Sequence, residues 1–278
     1  MKEVISMWKN TRMIILVALS ASIYAAFLIV FKGGIPIVPG ITEVRPANVF
    51  PPVFSLLFGP AGAWGSAIGN LIGDLFGGSL GIGSIFGFVG NFFLGFIPYK
   101  MWGSVFGLVK EDDMAPTMNS AKKIAAFEIV ALVASAACGL IIAWYLDIAA
   151  IVPFAFLSVT ITVNNFAAAV VLGPILLGLL YPRVKRWGLV WTDVMDVEDV
   201  SVGKARNLGS ILMIVGSIGG LVVGLLVAAA AAGQTVYGFT GDQSQAVVWA
   251  SVLPFLIVIV IASFMLSGRE QFVEEDED

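Results

Sequence analysis

Residues 12–31 read RMIILVALSASIYAAFLIVF, an apolar run whose only charge is Arg12 at its start. As an α-helix rising 1.5 Å per residue, twenty such residues cover about 30 Å, the thickness of a bilayer's hydrocarbon core. Further apolar segments follow at 46–59, 61–76, 83–100, 122–146, 151–182, 207–232 and 247–267. Of the 278 residues, 59% are hydrophobic and 12% charged, with a mean hydropathy of +0.97. An average soluble domain is roughly 25% charged. The expectation is an all-α, polytopic membrane bundle of about eight helices, placed in the cell membrane with the lipid bilayer as its solvent. The length of the first run, and the lack of a small-residue site followed by a polar start, argue against a cleaved signal peptide.

The residues that are missing narrow the chemistry. The chain has no His and a single Cys, Cys138, inside an apolar run. A His-based triad, an imidazole relay, a His–Cys metal cage and an internal disulfide are thereby excluded. No Lys stands in a phosphate-loop context, so any ATP hydrolysis belongs to another chain. The cations are few and scattered, which argues against nucleic acid. No cofactor is expected, and Cys138 reads as a small packed residue.

The cations also orient the chain. Lys2, Lys9, Arg12, Lys100, Lys110, Lys122, Lys123, Arg183, Lys185, Arg186, Lys204, Arg206 and Arg269 fall on one side, and only Lys32 and Arg45 on the other. By the positive-inside rule both termini are cytoplasmic, and the loops at 32–45, 77–82, 147–150 and 233–246 face outward. Trp187 and Trp191 read as interfacial anchors, and Glu128 as a snorkelling or locally paired carboxylate. Segment 46–59 is too short for a full span and contains Pro51 and Pro52. It forms either two short tilted spans with 61–76 or a re-entrant hairpin. Broken helices at membrane depth belong where they are buried in protein or line a cavity.

Polar side chains within the apolar segments converge on the outer half. Ionisable groups in a bilayer are costly and mark function or a structural clasp. Arg45 opens the second segment and Asp74 lies near the outer end of the third, at similar depth, where an Arg–carboxylate pair would neutralise both. Asn70 shares a helix face with Asp74. Asn48 lies one turn after Arg45, Asn91 midway along the fourth segment, and Asn164 and Asn165 midway along the sixth. Amides offer both donors and acceptors, which suits a heterocyclic or amide-bearing solute; helix–helix hydrogen bonding is the alternative. Arg45, Asn48, Asn70, Asp74, Asn91, Asn164 and Asn165 are therefore the candidate substrate contacts.

Gly59, Gly62, Gly65, Gly69 and Gly73, and then Gly83, Gly87, Gly90 and Gly95, recur at helix-packing intervals. The first helix carries Ala18, Ser22 and Ala26 on one face with Ala21 and Ala25 beside it. That stripe either packs internally or forms a docking surface for a partner helix.

Three stretches carry a resemblance: EVRPANVFPP from Glu43, LFGPAGA from Leu57, and GNLIGD from Gly69 to Asp74. Together they resemble the S components of energy-coupling factor (ECF) transporters, and most closely the queuosine-precursor-transporter-like members. The resemblance covers about residues 10–182. It implies a six-helix, membrane-embedded subunit without catalysis of its own. Such a subunit binds a vitamin, vitamin precursor or similar micronutrient near the outer face. A T component and two ATPase subunits then carry the solute inward, as in an ABC importer. The implied pocket uses residues 32–48, Asp74 and the loops 77–82 and 147–150. The implied docking stripe for the T component falls on Ala21 and Ala25, within Ala18–Ala26.

The implied organisation is a core at 1–182, a cytoplasmic loop at 183–206, a two-helix extension at 207–267 and an acidic cytoplasmic tail at 268–278. The extension departs from the six-helix pattern and either covers one face of the core or occupies the docking surface. A stand-alone, ion-coupled carrier using Asp74 is the alternative function.

Overall fold

The computed structural model describes residues 1–31, 36–38, 42–43, 45–203, 205–231 and 243–272. Lys32, Lys204 and most of the predicted outer loops 32–45 and 233–246 lie outside the described residues. Among the described residues the regular structure is helical apart from a short antiparallel ribbon of β1 (Pro36–Val38) and β2 (Thr42–Glu43). A short helix α1 (Lys2–Ser6) precedes α2 (Thr11–Phe31). Asn10 starts α2 by accepting the backbone N–H groups of Arg12 (3.0 Å) and Met13 (3.3 Å) at its Oδ1, which satisfies two otherwise orphaned donors.

A single turn at Pro46–Val49 leads into α3 (Phe50–Phe58). Gly59 then reverses the chain with φ +54°, a backbone region that penalises a side chain. Pro60 opens α4 (Pro60–Phe76) at the first helical position, where its missing N–H costs nothing. α5 (Gly83–Met101), α6 (Ala121–Ile148) and α7 (Phe154–Arg186) complete the core. α7 begins at Phe154, three residues later than the sequence suggests. Asp147 Oδ1 accepts the Phe154 N–H at 2.8 Å and so fixes that start. A short helix α8 (Trp191–Val194) precedes the C-terminal helices α9 (Arg206–Ile214), α10 (Gly220–Ala231) and α11 (Gln243–Met265). Among the described residues, five helical stretches are long and apolar enough to cross a membrane: Thr11–Phe31, Ala121–Ile148, Phe154–Val194, Arg206–Ala230 and Ala246–Met265.

Glycines decide how closely the core helices approach. A Cβ on Gly65 would stand 2.4 Å from Ser20 Cβ, and one on Gly69 2.9 Å from the Ala21 carbonyl, so α2 and α4 meet backbone to backbone. Gly62 lies against the α3 backbone at Phe54, Gly95 against Ala63, Gly90 against Ile142 of α6, and Gly139 of α6 against Ser158 and Thr162 of α7. The order of packing is α2–α4–α5–α6–α7, with α3 buried between α4, α5 and α7.

The α3–α4 hairpin runs from one end of this bundle to the other. Its turn at Gly59 touches the Trp191 ring, and Trp64 Nε1 donates to the Val4 carbonyl at 2.9 Å. Those contacts put the turn beside α1 and α8, whereas Arg45 and Asp74 lie at the far end. Trp191 is fully buried among Gly59, Tyr99, Gly268 and Phe272, which corrects its reading as an interfacial anchor. Trp187 is exposed. Lys123 is buried and bonds Asp113, the Ala115 carbonyl and Thr117.

The C-terminal helices lie against α6 and α7. α9 passes into α10 through one turn of π-helix, Val215–Gly219. Gly216 and Gly220 of this stretch seat Ile259 and Phe255 of α11, Gly220 also meets Leu140 of α6, and Gly224 meets Phe154 of α7. The start of the tail is not a free end, because Gln271 Nε2 donates to the Tyr99 carbonyl (2.5 Å) and Phe272 stacks edge-on against Trp191.

A buried ion pair ties these parts together. Glu3 of α1 pairs with Lys100 of α5, both side chains fully buried. Ser201 donates to Glu3 through its backbone N–H (3.2 Å) and hydroxyl (2.9 Å), and Lys100 donates to the Leu266 carbonyl beyond α11 (3.3 Å). Burial alone would raise the Glu3 carboxyl. The Lys100 ammonium and the N-terminal ammonium outweigh it and hold the group at about 2.

Candidate functional site

At the end of the bundle away from α1, a cavity of about 280 Å³ opens between α4, α5, α6 and α7 and the turn before α3. Its lining includes all seven residues singled out from the sequence: Arg45, Asn48, Asn70, Asp74, Asn91, Asn164 and Asn165. They come from the Pro46–Val49 turn and its approach, α4, α5 and α7. The apolar wall is Ile142, Leu146, Ile151, Leu157 and Ile161. Small ligand pockets begin at roughly 300 Å³ and combine apolar walls with a few convergent polar groups. A second cavity of about 510 Å³ lies at the α1 end, beside Tyr181, Trp191 and Phe272. It holds none of the seven residues.

The amides are held rather than loose. The Tyr24 hydroxyl of α2 lies 2.8 Å from the Asn48 amide and 2.9 Å from the Asn91 amide. Asn91 Nδ2 donates to the Gly87 carbonyl one turn earlier, at 2.8 Å. The Asn48 amide also bonds that of Asn165, linking the turn before α3 to α7. Asn48, Asn70, Asn91 and Asn165 are all buried. A buried amide without partners costs about 1–3 kcal/mol. This connected set therefore fixes the cavity wall in one arrangement.

The charged groups stand at the cavity rim. Asp74 accepts from Ser79 Oγ (3.2 Å) and Asn70 Nδ2 (3.3 Å). The backbone N–H of Arg45 donates to Asn164 Oδ1 at 3.1 Å, which ties the start of the Pro46–Val49 turn to α7. Gly87 of α5 leaves room for the Asn70–Asp74 pair, since a Cβ there would stand 2.9 Å from Asn70 Nδ2. An acidic and a basic group, several amides and an apolar wall can bind a small, polar, partly planar solute.

Some expectations need correction. The 77–82 loop contributes Ser79, Gly81 and Ile82, but the 147–150 loop contributes no lining residue, and its flanks Leu146 and Ile151 do. Asp147 is turned instead to the start of α7. Cys138 is buried, as a packed residue would be, and also lines the cavity. Ala21 and Ala25 are 3% exposed, and Ala21 is pressed against Gly65 and Gly69 of α4, so both are internal and cannot form an outer docking stripe. Ala18, Ser22 and Ala26 face outward. Sequence reasoning passed over Tyr24. The signal was one phenol on the buried small-residue face of an otherwise apolar helix.

A family model described as "QueT transporter" matches residues 14–182, more than half of the chain. The chain belongs to the QueT transporter family. It is a multi-pass membrane protein of a family of transporters, and the matched stretch contains every residue that lines the cavity. The family match ends within α7, so α8–α11 lie beyond it. No curated protein and no solved structure matches the chain.

Proposed function

We propose that this QueT-family chain is the substrate-binding S component of an ECF-type importer. It captures a small heterocyclic solute of the queuosine-precursor kind, a vitamin precursor or similar micronutrient, in the amide-lined cavity at its outer face. The single observation that carries the reading is the convergence of seven polar side chains on one cavity. Both termini are cytoplasmic, α3 and α4 act as two short spans, and residues 1–182 form the binding core, followed by the 183–206 loop, the two-helix extension and the acidic tail. A T component and two ATPase subunits supply the driving force.

The extension supports this assignment by where it packs. It covers α6 and α7 and leaves the Ala18, Ser22 and Ala26 face of α2 outward, which is the face we assign to the T component. Asp74 in the cavity favours a second reading, a carrier coupled to protons or cations. Reconstitution separates the two. The S-component reading expects solute uptake into vesicles only with the T component, the ATPases and ATP. Uptake by the chain alone, abolished by an uncoupler, would replace it with the carrier.

A further inference from the structure

The amides around the cavity form a relay whose direction follows from counting protons. A tyrosine hydroxyl carries one proton and otherwise accepts. Tyr24 Oη meets two amides, Asn48 and Asn91, so it donates to one and accepts from the other. Asn91 is fixed, because its Nδ2 donates to the Gly87 carbonyl and its oxygen therefore faces Tyr24. Tyr24 must then donate to Asn91 and accept from Asn48. An amide's oxygen and nitrogen exchange places by a half turn, and the bonding network decides between them. Asn48 thus turns its NH2 to Tyr24 and its oxygen to Asn165. Asn165 in turn gives its NH2 to Asn48. The remaining Asn165 atom is its carbonyl oxygen. Asn165 and Cys138 both line the cavity and their side chains are hydrogen-bonded, so the atom not engaged by Asn48 is the one on that side.

We infer that Tyr24 sets the polarity of the cavity: through Asn48 it holds Asn165 with a carbonyl oxygen outward, so the site selects a solute that offers an N–H there. The selection rests on the solute-binding reading above; the direction of the relay does not. The oxygen has two lone pairs and accepts from the Cys138 S–H as well as from a solute. The opposite relay would present an N–H at the same place and would select an acceptor.

Cys138 is the chain's single cysteine, so its S–H stretching band reports on this position alone. Infrared spectra of the purified full chain, with and without its co-purified solute, test the inference. The expected wild-type band is lowered by donation to Asn165. It rises toward the unbonded position in both Tyr24→Phe and Asn165→Leu, in preparations whose melting curves show a folded protein. Tyr24→Phe should also lower the co-purified solute at least tenfold. An unbonded wild-type band, or a lowered band that neither variant moves, overturns the relay, and the wild-type band decides if both variants fail to fold. A band that behaves as expected while Tyr24→Phe keeps its solute overturns the selectivity and leaves the relay standing. A wild-type chain that carries no solute, with the band as expected, removes the solute reading and the selectivity with it, and again leaves the relay.

Discussion

Replacing Lys100 by Met should destabilise the protein more than any other single change at the α1 end of the bundle. Glu3 would be left fully buried, with Ser201 and the N-terminal ammonium as its remaining partners. Breaking a buried ion pair from one side costs about 3–5 kcal/mol when the remaining charge is uncompensated, and the N-terminal ammonium 3.2 Å from Glu3 puts the expected loss at the lower end. The native carboxyl gives a similar figure: moved from an ordinary 4.5 to about 2, it contributes about 3 kcal/mol at neutral pH. In a chain of this size about 3 kcal/mol corresponds to a fall in Tm of about 10 °C. The double variant Glu3→Gln/Lys100→Met should recover most of it, since a neutral amide still accepts from Ser201. The pH dependence has a definite sign. In the wild type the Glu3 contribution is complete above about pH 4.5 and drains as pH falls toward 2. Without Lys100, burial raises the carboxyl and only the N-terminal ammonium opposes it, so the single variant's loss is largest at neutral pH and shrinks on acidification. Thermal melting of all three proteins between pH 4 and 8 is the assay. A Lys100→Met protein as stable as wild type, or a double variant no better than the single, would refute the reasoning.

Three other changes probe the site and its surroundings. Arg45→Ala should abolish solute binding or folding, and equilibrium binding at normal yield would remove Arg45 from the site. Ser22→Trp, on the outward face of α2, should impair uptake with the assembled importer while sparing solute binding, whereas Ala21→Trp should fail to fold because Gly65 and Gly69 leave it no room; unchanged uptake in Ser22→Trp would dismiss that face as the docking surface. Gly87→Ala should weaken solute binding about tenfold with little change in Tm, because the new methyl would stand 2.9 Å from Asn70 Nδ2 and displace it at the cavity wall; unaltered affinity would show that Asn70 makes no contact.

The seven cavity residues were legible because an amide or a charge inside an apolar helix stands out against its background. Their meeting in one cavity was legible only through the orientation that the cations imply. The small-residue stripe of α2 was ambiguous for a geometric reason: Ala18 and Ala21 sit on neighbouring faces, and only the partner helix, with Gly65 and Gly69 opposite Ala21, says which is inside. Tyr24 was missed because its ring reads as apolar and only its hydroxyl matters. The Glu3–Lys100 pair and the burial of Trp191 join segments far apart in the chain, and no local pattern announces such contacts. The π-helical turn at Val215–Gly219 reads as ordinary apolar helix for the same reason.

The central claim is that the amide-lined cavity binds a solute. Mass spectrometry of small molecules released from the chain, purified mildly from its native membrane, tests it most directly. The account predicts a near-stoichiometric heterocyclic solute that is lost from folded Arg45→Ala and Asn48→Ala proteins. A folded wild-type chain that repeatedly releases no solute, or one whose solute is retained in full by both variants, would contradict it.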